Sequence, residues 1–138
     1  MKSRVSVIRL KKFQVDEKRR KVAQIEAMIA EFERIAADLD REIQAEQDRT
    51  GIHDPWHFAY STYAKAAIGR SENLKRSSEE LVGQLERAQA ALRDSFEELK
   101  KLELLDERDQ GRERTSEGTR DQVDFDAVGG LRARGAIG

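Results

Sequence analysis

Counted in sevens from Ile8, one repeat position, a, holds Ile8, Val15, Val22, Ile29, Ala36 and Ile43. A second, d, holds Lys11, Lys18, Ile25, Phe32, Leu39 and Glu46. Nine of these twelve residues are apolar, and the count runs without a skip. Apolar residues three and four apart form a stripe on one helix face. A stripe kept in strict sevens is the seam of a coiled coil. Neither Pro nor Gly interrupts residues 3–48. The pattern therefore predicts a helix over about 3–48, roughly 70 Å long at 1.5 Å per residue. Met28 and Ile35 are expected to widen its stripe.

A second series with the same spacing runs Tyr60, Ala64, Ala67, Ser71, Leu74, Ser78, Leu81, Leu85, Ala88, Leu92, Ser95, Leu99 and Leu102. It predicts a second helix over about 55–110. Gly69 and Gly83 each cost that helix about 1 kcal/mol against Ala. Its first half offers mainly Ala and Ser, which bury little. The half from Leu81 to Leu105 reads as firmer, with Phe96 and Leu105 broadening the seam. From Gly111 the texture changes, and residues 111–138 hold six of the nine glycines. A largely disordered, flexible tail is expected there, with Val123, Phe125 and Val128 as a candidate docking motif.

A turn at about 49–54 is too short for anything but antiparallel neighbours. Charge agrees. Residues 1–21 carry nine basic and two acidic side chains, and residues 22–50 carry three basic and eight acidic. Residues 97–117, which an antiparallel pairing sets beside the basic start, carry eight acidic and five basic. Residues 65–87, beside the acidic part, carry five basic and four acidic. Exposed pairs are worth only tenths of a kcal/mol each, so they select alignment more than they stabilise it. The fold class expected is all-α: a long antiparallel two-helix coiled-coil hairpin over 1–110, followed by the tail. Such a hairpin buries one stripe per helix and is marginal alone, so a partner is expected.

Composition closes off other classes. With 38% charged and 38% hydrophobic residues, the chain is poorer in apolar side chains than the roughly 45–50% of ordinary soluble domains. No cysteine is present, so there is no disulfide framework or thiolate metal site. No apolar run approaches the roughly 20 residues of a membrane span, and the basic start lacks the apolar core of a secretory signal. A net charge of −1 argues against general nucleic-acid binding. A basic-region DNA binder would need a parallel dimer of continuous helices.

The stretch Thr50–Tyr63, TGIHDPWHFAYSTY, holds both histidines, both tyrosines, the only Trp and the only Pro. Its grammar is that of a turn. Gly51 suits the left-handed position after a helix. Asp54 suits an N-cap and Pro55 the first helical position. His53 and His57 have the i, i+4 spacing of a zinc helix, but the expected cap puts them off a common face. No nucleophile elbow or phosphate-binding glycine loop is present. No catalytic, metal or cofactor residue is assigned, and a non-enzymatic protein is expected. Trp56, Phe58, Tyr60 and Tyr63 have two readings: a plug for the hairpin's end, or anchors for a partner.

The basic, heptad-bearing start MKSRVSVIRLKKFQVDEKRRKVAQIEAMIAEFERIAADLDREI, the GIHDP turn with its aromatic sequel, and LKRSSEELVGQLERAQAALRDSFEELKKLELLDERD resemble the FliJ family of flagellar export proteins. The chain looks most like the alphaproteobacterial form, over roughly Met1 to Arg114. The resemblance implies an antiparallel coiled-coil stalk that inserts into the hexameric ring of the flagellar export ATPase. It implies contact with the cytoplasmic domain of the export-gate membrane protein, and a role in escorting export chaperones. Location would be cytoplasmic, joined to the inner membrane at the flagellar base only through partners. Arg4, Arg9, Lys11, Lys12, Lys18, Arg19 and Arg20 become candidates for acidic loops of the ATPase. Trp56, Phe58, Tyr60 and Tyr63 become candidates for the gate. The competing reading is a generic coiled-coil chaperone or scaffold.

Overall fold

In a computed structural model, the structure describes the backbone of residues 2–137 and the side chains of residues 3–116 and 118. Two helices account for it: α1, Lys2–Thr50, and α2, Thr62–Ile137. Among the described residues no helix is long and apolar enough to cross a membrane. The chain divides into two compact units, one made of Phe13–Ser95 and the other of residues 1–12 with 96–138.

Within Phe13–Ser95 the helices run antiparallel. Lys18 Nζ donates to Ser95 Oγ, Ser71 Oγ donates to Asp40 at 2.7 Å, and Ser61 Oγ donates to Glu46 at 3.0 Å. Numbers fall on α1 as they rise on α2. Two apolar clusters fill the seam. Ile25, Leu81 and Ala88 form one, with Val22, Ile29, Phe32 and Leu85 packed against it. Leu39, Ile43 and Ala67 form the other, with Ile35, Ile68 and Leu74. Each fully buried Leu or Ile contributes about 1.5–3 kcal/mol. In the other unit Lys11 Nζ lies 2.8 Å from Glu98, and Arg4 pairs with Asp109 while donating to the Leu105 carbonyl. Leu99 is buried there. These cross-helix partners join the basic start to the acidic late part of α2, as the charge pattern predicts.

The heptad register holds. All twelve a and d positions of α1 are buried or half-buried, Lys11, Lys18 and Glu46 included, as are all thirteen seam positions from Tyr60 to Leu102. Three expectations about seam width fail. Met28 is 46% exposed, and Phe96 and Leu105 also face solvent. A two-helix contact covers a narrow stripe, and side chains one step off it have no second neighbour. The small seam residues of the first half of α2 are closely covered. Ala64, Ala67 and Ser71 are among the most buried residues, Ala64 at 0% exposure, because small side chains let the facing helix cover them fully.

Helix two starts at Thr62, not near Pro55. Asp54 does cap, but it caps a single turn: its Oδ1 accepts from Trp56 N at 3.0 Å and its carbonyl from His57 N at 3.0 Å. His57 Nδ1 then accepts from Ala59 N at 3.0 Å, diverting a donor that a continuing helix would need. A second turn follows, Tyr60 N to the His57 carbonyl at 3.0 Å. The true N-cap is Ser61, whose Oγ accepts from Ala64 N at 3.2 Å while its carbonyl accepts from Lys65 N at 3.0 Å. Gly51 has the expected left-handed conformation, φ 72°, and its N–H returns to the Gln47 carbonyl at 2.8 Å. At the other end α2 has no break at Gly111 and continues to Ile137. The side chains of Val123, Phe125 and Val128, the expected docking motif, lie outside the described residues.

Candidate partner-binding surfaces

The turn sorts its aromatic residues into two kinds. Tyr60 is 8% exposed, and its hydroxyl accepts from Gln47 Nε2 at 2.7 Å. It is the plug. Trp56 and Phe58 are 90% and 96% exposed. Neither lies in a helix, and the ring contact Phe58 makes is with its neighbour His57, 4.7 Å between centroids. Tyr63 is intermediate: 57% exposed, with its hydroxyl donating to Glu42 at 2.8 Å. The Glu42 carboxylate favours the protonated phenol and raises the Tyr63 pKa above its ordinary value. The four residues named for one role thus separate, and Tyr60 is not available as an outward anchor.

The histidines face separate partners. His53 Nε2 lies 3.3 Å from Asp48, while the His57 ring nitrogen is engaged by Ala59 N. Among the described residues no three His, Cys, Asp or Glu side chains group as metal ligands.

The cationic candidates also separate. Arg4, Lys11 and Lys18 are committed to Asp109, Glu98 and Ser95 of α2. Arg19 lies 3.8 Å from Asp16 on its own helix. Arg9, Lys12 and Arg20 are exposed and make no ion pair among the described residues. Their charges are the ones left for a partner.

Two polar contacts steady the turn-side half. Glu46 accepts from Arg49 at 2.5 Å and from Ser61, and these hydrogen bonds, Arg49's first, hold its carboxyl below the usual range. Asp40 accepts from Ser71 at 2.7 Å and from Lys75 at 3.0 Å, and its pKa is lowered, Ser71 being the larger cause. Sequence reading missed both. For Asp40 the available signal was Ser71 at a seam position, since a buried hydroxyl needs a partner; Ser61 lies off the seam series and gave none. A depressed carboxylate contributes stability at neutral pH and loses it as pH falls through the folded-state pKa. Thermal stability should therefore fall on acidification below about pH 4. In Asp40→Asn the fall should be shallower, by under about 1 kcal/mol because the pair is half exposed. Melting curves of the two proteins across pH 2.5–7 check this, and parallel curves would remove Asp40 from the account.

A protein-family model described as "FliJ: Flagellar FliJ protein" matches residues 3–136. No curated protein and no solved structure matches the chain.

Proposed function

The chain belongs to the FliJ family of flagellar proteins, a component of the flagellar export apparatus, and on that premise we propose that it acts as a non-enzymatic coupling stalk. It inserts the end bearing its termini into the ring of the export ATPase. Its turn-side half meets the cytoplasmic domain of the export gate, and it hands over export chaperones. It works in the cytoplasm and reaches the inner membrane through these partners. The observation that carries the reading is the family match over residues 3–136.

The geometry supports particular contacts. A paired hairpin is about two helices wide, each about 10–12 Å across with side chains, which suits a ring pore. Arg9, Lys12 and Arg20 carry the unspent charge for acidic loops of the ring, while Arg4, Lys11 and Lys18 serve mainly to align the helices. Trp56 and Phe58, with Tyr63 beside them, are the gate-facing set. Adding the purified chain to the isolated export ATPase should raise its turnover. No stimulation, together with no co-purification of ATPase or gate domain, would contradict the proposal.

A further inference from the structure

Within Phe13–Ser95 an open cleft of about 390 Å3 runs between the helices, lined by Lys18, Lys21, Gln84, Arg87, Ala88 and Ala91. Gln84, Arg87, Ala88 and Ala91 recur at i, i+3, i+4 and i+7 and so share one face of α2. Lys18 and Lys21, three apart, supply the facing wall from α1. Ala88 and Ala91 end in methyl groups where a Leu would fill the flank of the seam. That leaves an apolar floor between polar walls.

The charge of this cleft is unbalanced. Three cations line it and no carboxylate does. Lys18 is held by Ser95 Oγ. Lys21 and Arg87 form no ion pair among the described residues. A Cβ at Gly83 would lie 3.6 Å from Arg87 Nη1, so the guanidinium extends back along α2. An adjoining groove, lined by Glu17, Lys18, Arg20, Lys21 and Gln24, continues the basic wall. Cations gathered around an apolar floor repel one another until an anion arrives.

We infer that this cleft docks an acidic amphipathic helix from a partner protein. Small apolar residues of that helix rest on Ala88 and Ala91, and carboxylates one turn apart reach Lys21 and Arg87. Laying the apolar face of a helix into a groove between two others is an ordinary recognition mode. The apolar floor favours this occupant over a nucleic acid, whose backbone asks only for charge. Of the residues proposed above to meet the ring, Arg20 lines the adjoining groove and none lines the cleft itself, and the test needs no ATPase.

The test uses the full chain and a fluorescent 20-residue helical peptide, glutamate-rich on one face and Ala/Leu on the other, read by anisotropy. A lysine-faced version and a single-stranded oligonucleotide are run beside it. The acidic peptide should bind, and Lys21→Glu with Arg87→Glu should weaken it about tenfold or more. The same double variant should gain affinity for the lysine-faced peptide, a rescue that a misfolded protein cannot give. Ala91→Phe, which fills the floor and keeps every charge, should also weaken the acidic peptide. No binding, equal binding by the charge-reversed chain, or tighter binding of the oligonucleotide that Ala91→Phe leaves unchanged would each overturn the inference.

Discussion

Replacing Trp56 and Phe58 together by alanine is expected to abolish binding to the cytoplasmic domain of the export gate while leaving the helices intact. The two side chains are 90% and 96% exposed. They lie between the end of α1 at Thr50 and the start of α2 at Thr62. Removing them takes nothing from the seam. The turn is held by other groups: Asp54 Oδ1, the His57 ring and the carbonyls of Asp54 and His57. Helix content by circular dichroism and the melting temperature should therefore match the parent. A buried aromatic hot spot costs about 2 kcal/mol or more when truncated. Two of them would weaken a gate complex by two or more orders of magnitude. Calorimetric titration of the gate domain measures this. Unchanged affinity would take the gate contact away from the turn, and loss of helix content would return both residues to the role of plug.

Leu39→Ala carries the largest expected loss of stability. Leu39 is buried in a cluster with Ile43 and Ala67, with Ile35, Ile68 and Leu74 packed around it. Truncating a buried Leu costs about 2–5 kcal/mol, from lost transfer energy and the cavity left behind. In a chain of this size that lowers the melting temperature by on the order of 10 °C. Met28→Ala is the control. Met28 lies on the same helix and is as apolar, yet it is 46% exposed, and its loss should stay within about 0.5 kcal/mol. Equal effects at the two positions would mean that the seam does not follow the heptad count.

That count made most of the fold legible before any coordinates. A strict repeat of seven admits one seam, so Val15, Ile25, Leu39 and Ile43 could be assigned to it from spacing alone. What spacing cannot convey is how far the seam extends sideways. Met28, Phe96 and Leu105 are apolar and close to the stripe, but one facing helix is too narrow to cover them. Small residues at Ala64 and Ser71 are covered most completely, as close helix approach requires, yet each buries little area. The start of α2 was misread because Asp-Pro is a good cap for any turn. Only the hydrogen bonds at Ser61 and the His57 ring show which turn continues into a helix. The aromatic cluster was legible as a cluster. Its division was half legible, since Tyr60 falls at seam spacing while Trp56 and Phe58 do not. Apart from Arg19, whose partner Asp16 lies three residues before it on the same helix, the cationic set could not be divided from sequence, because pairing depends on which groups face it across the seam.

The central claim is that the ring contact and the gate contact occupy different parts of one stalk. Turnover of the isolated export ATPase tests it most directly, measured with three forms of the chain. These are the parent, the Trp56→Ala/Phe58→Ala double variant, and the triple variant Arg9→Glu/Lys12→Glu/Arg20→Glu. Stimulation by the parent and the aromatic variant, with loss in the charge-reversed chain, is the predicted result. Equal stimulation by all three, or loss with the aromatic variant alone, would contradict it.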